Sequence, residues 1–112
     1  MREENLLITN LQREIRQGLR EDYQLGIEIF CFGSVLHKAK HKDIDLLIVY
    51  DKNRIDVSRA IQIRKRLVKV ISRELEMNTD ICLLSKEEDK QSRFSESERA
   101  RKLSFPTIKN GI

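Results

Sequence analysis

The run Asp43-Ile44-Asp45-Leu46-Leu47-Ile48-Val49-Tyr50 constrains this chain most. Six apolar or aromatic residues follow Asp45 or separate the two acids, and that content predicts a strand. Side chains alternate across a strand, so Asp43 and Asp45 share one face. The run is apolar on both faces towards its end, as a central strand requires. Two like charges side by side disfavour such a strand. An aspartate among Ile44, Leu46 and Leu47 is almost never buried without a partner. A divalent cation is one partner that offsets the cost. An Arg or Lys from the run 64–69 is the structural alternative.

The neighbouring segments fit around that strand. Leu7, Leu11, Ile15 and Leu19 recur every fourth residue, which predicts an amphipathic helix over 3–22 with Gly26 as its breaker. Residues 27–32, Ile-Glu-Ile-Phe-Cys-Phe, read as a strand that stops at Gly33. Residues 34–42 read as a short turn and a basic loop. A helix is predicted over 56–76, capped by Asp56 or Ser58, with Val57, Ala60, Ile61, Leu67, Val68, Ile71 and Leu75 as its apolar stripe. Asn78 suits a left-handed exit. Residues 79–84 form a third strand opened by Asp80. Ser85-Lys86-Glu87-Glu88 has the pattern of a cap with an acidic first turn. Residues 86–102 are mostly charged and have little besides Phe94, Ala100 and Leu103 to bury.

That order predicts an α/β (α+β) domain, a small mixed sheet covered by helices. At 112 residues the chain holds one such domain, placed at 1–103, with 104–112 as a loose tail. Aromatics are 5% and Trp is absent, so aliphatic side chains must supply the core. The net charge of +4 suits an anionic partner and falls short of marking a nucleic-acid binder. Arg64-Lys65-Arg66 and Arg99-Ala100-Arg101-Lys102 read as solvated faces. Cys31 and Cys82 lie in apolar runs and read as buried thiols of a reduced, cytoplasmic protein. No apolar stretch approaches the roughly 20 residues that span a bilayer, and the first residues lack a signal-peptide core. His37 and His41 are four apart with no third ligand at matching spacing, which argues against zinc.

Three pieces carry chemistry: Phe32-Gly33-Ser34, Asp43-Ile44-Asp45-Leu46-Leu47 and Thr79-Asp80-Ile81. Glycine lets a phosphate approach the backbone, and the serine and turn amides can cradle an anion. Taken alone, Gly33-Ser34 reads as a simple strand-to-helix turn. Together, in this order and beside apolar strands, the pieces resemble the nucleotidyltransferase superfamily that includes DNA polymerase beta. Within it, they most resemble the minimal nucleotidyltransferases.

The resemblance implies that fold, with both acid-bearing strands central in the sheet. It implies that Asp43, Asp45 and Asp80 are catalytic and hold two magnesium ions. ATP is the implied substrate. Gly33 and Ser34 would contact phosphate. The basic loop between them and the acids reads, from its charge and place, as lending one further phosphate contact, with His37, Lys38 and Lys42 the candidates and a solvated loop the alternative. Three features depart from the family. Leu36-His37-Lys38 stand where small members carry Ala-Arg-Gly, and Lys42 replaces the serine before the first acid. The linker from Ser34 to Asp43 is also short.

Minimal members are commonly encoded with a helical partner of the HEPN type. The resemblance therefore implies an antitoxin that adds AMP to a hydroxyl, a tyrosine's for choice, on such a partner. The alternative is an antitoxin that neutralises its partner by contact alone. A weaker alternative is an enzyme that modifies RNA or an antibiotic. The sequence leaves self-association open.

Overall fold

The computed structural model describes residues 3–19, 26–33 and 43–103. The order is α1 (Glu3–Leu19), β1 (Ile27–Phe32), β2 (Asp43–Tyr50), α2 (Val57–Leu75), β3 (Asn78–Ser85), α3 (Lys86–Ser92), α4 (Phe94–Ser97) and β4 (Arg101–Lys102). The four strands form one mixed sheet in the order β3-β2-β1-β4. β2 pairs parallel with β3 through the α2 crossover, and the other pairings are antiparallel. The predicted α/β class and the three predicted strands are found.

Alternation along β2 decides the layering. Ile44, Leu46 and Ile48 point to one face and are fully buried. Across the strands they meet Cys31 and Ile29 of β1 and Ile81 and Leu83 of β3. α1 brings Ile8, Leu11, Ile15 and Leu19 to this core, and α2 brings Ala60, Ile63, Leu67 and Ile71. Each Leu or Ile among them, fully buried, contributes about 1.5–3 kcal/mol relative to exposure. The two helices pack closely. A Cβ on Gly18 of α1 would lie 2.6 Å from Val70 Cγ2 of α2.

The stripe on α2 differs from the predicted one. Ile63 and Val70 are buried, while Val57 is 52% and Val68 37% exposed. Apolar residues lie around much of this helix, and contact with α1 and the sheet selects the 60-63-67-70 line. Asp56 is the cap that forms, its Oδ1 accepting from the Arg59 amide at 2.8 Å. The left-handed exit falls on Glu76 (φ 53°), so Asn78 is free to open β3.

Two corrections concern the sheet. β3 is an edge strand among the described residues, so only β2 of the two acid-bearing strands is central. β4 was not foreseen. Lys102 pairs with Phe30 and Arg101 with Cys31. The Leu103 amide then donates to the Ile29 carbonyl at 2.8 Å, and the Leu103 side chain enters the core at 2% exposure.

The predicted cap after β3 is present in full. The Glu88 amide donates to Ser85 Oγ at 3.1 Å, and the Ser85 amide donates to Glu88 Oε1 at 2.8 Å. α3 follows, and Phe94 of α4 meets Phe32 edge-on with ring centroids 5.2 Å apart. The predicted end of the first helix, the basic loop 34–42 and the tail 104–112 lie outside the described residues. Among the described residues no helix is long and apolar enough to cross a membrane.

Candidate active site

The face of β2 opposite the core carries Asp43, Asp45, Leu47 and Val49. Leu47 and Val49 are buried, Asp45 is partly buried and Asp43 is exposed. The strand therefore changes from core to open surface at its amino-terminal end. Register places Asp45 between two neighbours on this face, Phe32 of β1 and Asp80 of β3. Asp43 stands one pleat along the same strand. Two of the three predicted acids are thus direct cross-strand partners, and the third adjoins them.

The electrostatics follow from that placement. Burial foremost, then the charges of Asp80, Asp43 and Glu98, push the Asp45 carboxyl above its ordinary value. The Phe32–Phe94 pair supplies apolar bulk beside it. Among the described residues, no Lys or Arg forms an ion pair with Asp43, Asp45 or Asp80. The structural alternative, a cation from the run 64–69 neutralising Asp45, is absent among them. Adjacent carboxylates in a partly dry setting without an ion-pair partner favour an added positive charge.

Gly33 ends β1 with φ at +76°, a left-handed conformation that side chains disfavour. A Cβ there would lie 2.5 Å from Asp45 Oδ2. The missing side chain therefore makes room for the carboxylate itself. Ser34, His37, Lys38 and Lys42, the other predicted phosphate contacts, lie outside the described residues.

The donor set suits magnesium, which takes oxygen ligands and commonly uses one or two carboxylates with phosphate oxygens and water. Among the described residues, no three His, Cys, Asp or Glu side chains are grouped to hold an ion by themselves. A site that borrows ligands from a triphosphate does not need such a cage. The pair Asp45–Asp80, with Asp43 beside it, fits that type.

Two residues near the acids were not singled out as site residues by the sequence. Glu98 closes α4 and adds its charge to those raising Asp45. It sits in the run Ser95-Glu96-Ser97-Glu98-Arg99, which carries no sign of a site. Cys82 lies two residues beyond Asp80 on the same face. It is half-buried, not fully buried as predicted. Desolvation first, then Asp45, Asp80 and Glu98, raise its thiol pKa.

The profile of the nucleotidyltransferase domain family matches residues 12–103. No curated protein gives a significant match. Among solved structures, the crystal structure of a provisionally assigned nucleotidyltransferase aligns with a TM-score of 0.48 and 20% identity, over 86% of this chain and 96% of that one. A likeness that slight bears on neither substrate nor partner. The profile match runs from within α1 to Leu103 and takes in Gly33, Ser34 and all three aspartates, the residues that carry the motif resemblance. The chain belongs to the nucleotidyltransferase domain family, whose reaction is the transfer of a nucleotidyl group.

Proposed function

We propose that this chain is a magnesium-dependent enzyme that transfers AMP from ATP to a hydroxyl on a partner protein. The carrying observation is Asp45, held on a central strand against Asp80, raised in pKa and without an ion-pair partner among the described residues. The family reaction supplies a use for that arrangement. Magnesium, when bound, neutralises the triphosphate and activates the acceptor oxygen.

The chain's own residues divide the remaining tasks. Asp43 and Asp45, with Asp80 completing the set, would hold the positive charge against the open face. Gly33 keeps the Asp45 carboxylate in place by leaving its space empty. Ser34 and the basic loop with His37, Lys38 and Lys42 grip phosphate. Asp80 takes the proton of the acceptor hydroxyl as its oxygen bonds to the α-phosphorus. The bond from that phosphorus to the bridging oxygen breaks, and pyrophosphate leaves with the electron pair. A helical HEPN-type protein is the partner this reading favours, in an antitoxin role.

Calorimetric titration with magnesium and ATP tests the site without needing the acceptor. Wild type is expected to bind and Asp43→Ala/Asp45→Ala to lose binding. Incubation with each α-labelled triphosphate, with and without the helical partner, then identifies base and acceptor. A wild-type chain that binds no magnesium–ATP, alone or with the partner, overturns the proposal.

A further inference from the structure

A groove of about 410 Å³ runs between α2 and the outer edge of β3. Thr79, Asp80 and Ile81 form its strand side. Val68 and three cations, Arg64, Lys65 and Lys69, form its helix side. Three observations describe what would fill it.

The first is the strand edge. β3 pairs only with β2 among the described residues, which leaves one row of its backbone amides and carbonyls without a strand partner. Edges of this length are usually blunted by Lys, Pro or a covering element. Asn78–Ser85 contains neither Lys nor Pro. An open edge complements an extended polypeptide, because main-chain groups pair with main-chain groups.

The second is charge. None of the three cations has an ion-pair partner among the described residues. The Cys82 thiol feels Arg64, so the cationic end of the groove adjoins the acid face. The lining carries three cations against the one carboxylate of Asp80, so the occupant is acidic. A second copy of this chain would bring the same cations against these and is disfavoured.

The third is polarity on the floor. Val68 and Ile81 offer apolar contact. Thr79 Oγ1 is buried with no hydrogen-bond partner. RNA would use the cations and leave the open strand edge without complementary groups.

We propose that this groove docks an extended acidic segment of the acceptor protein, paired with the outer edge of β3 beside Asp80. The proposal rests on the transferase reading for the word acceptor. The docking itself does not depend on catalysis.

The probe is a fluorescein-labelled octapeptide of alternating Glu and Val, followed by anisotropy and amide hydrogen exchange on the full chain. The peptide is expected to bind and to slow exchange within residues 78–85. Arg64→Glu/Lys65→Glu/Lys69→Glu should weaken binding about tenfold, the scale of three exposed ion pairs. Lys65→Gln/Lys69→Gln should weaken it less, and added salt should weaken the wild type. Equal binding of a Lys/Val peptide, unchanged binding by the triple variant, or protection elsewhere overturns the proposal. Tighter binding of an RNA octamer, lost in the same variant, reassigns the groove to RNA. A peptide-free dimer that protects the same amides reassigns it to a second copy.

The two proposals fail separately. AMP transfer untouched by the triple variant sinks the docking and spares the enzyme. Peptide binding that persists in a chain unable to bind magnesium–ATP sinks the enzyme and spares the docking.

Discussion

Replacing Asp45 with Asn keeps the size and shape of the side chain and removes its charge. Asp80 is its cross-strand partner, and neighbouring strands lie about 5 Å apart. Two unit charges at that distance repel by about 0.8 kcal/mol in water and about 3 kcal/mol at the effective dielectric of a protein surface. Asp80 is exposed, so the lower end applies. Asp43, Glu98 and partial burial act in the same direction. Asp45→Asn should therefore stabilise the metal-free domain by about 1–2 kcal/mol at neutral pH. That corresponds to a rise in Tm of at least about 4 °C for a domain near this size.

The pH dependence carries the sign. The folded pKa of Asp45 lies above its unfolded value. The charged form is thus penalised in the fold, fully above the folded pKa and not at all below the unfolded one. The gap between variant and wild type should close as pH falls through that range. Thermal melts in chelator from pH 4 to 8 read both effects. Magnesium with ATP should then raise the wild-type Tm and leave the variant unmoved. If Asp45→Asn loses about 1 kcal/mol or more at neutral pH, Asp45 is a structural anchor and the reasoning is refuted.

Gly33→Ala must place a Cβ 2.5 Å from Asp45 Oδ2 at a φ of +76°. It should cost about 1–2 kcal/mol in stability and, by displacing the carboxylate, about 100-fold in transfer rate, read by melts and by label incorporation. Thr79→Val removes a buried hydroxyl that lacks a partner, so urea unfolding should show unchanged or higher stability, where most buried polar losses show a drop. Ser85→Ala removes the Oγ that accepts from the Glu88 amide, keeps the backbone bond to Glu88 Oε1, and should cost about 1 kcal/mol by the same assay. The Cys31 thiol is fully buried and pushed up to about 11, desolvation being the main cause. At pH 8 iodoacetamide should modify Cys82 well before Cys31, as mass spectrometry of digested protein would show.

The sequence made the site's frame legible because strand alternation is a strict rule. Two acids two residues apart must share a face, and the run after them must be buried on both. Ser85 and Glu88 were legible because a capping box has a fixed spacing. The misses share a different origin. β4 is two residues long, too short for any period, and its side chains are Arg and Lys. Backbone pairing and the buried Leu103 hold it instead. Glu98 reaches the acids only through the path of α3 and α4, which no local pattern encodes. The exit of α2 fell on Glu76 because helix length is set by packing, and packing overrode the better left-handed propensity of Asn78. The position of β3 at the edge is a matter of topology that motif order does not determine.

β1 has partners on both sides that come from very different places in the chain. β2 follows it closely, but Arg101 pairs with Cys31 from seventy residues further on. Closing so long a loop is slow and entropically costly, and its reward arrives only when Leu103 fills the core. This pairing is expected to form late in refolding. A chain paused on the ribosome before Leu103 emerges would hold β1 with one edge bare, a species prone to pair with its neighbours. A stop codon just before Leu103 should therefore lower soluble yield sharply, and Leu103→Ala in the full chain should lower it in the same direction.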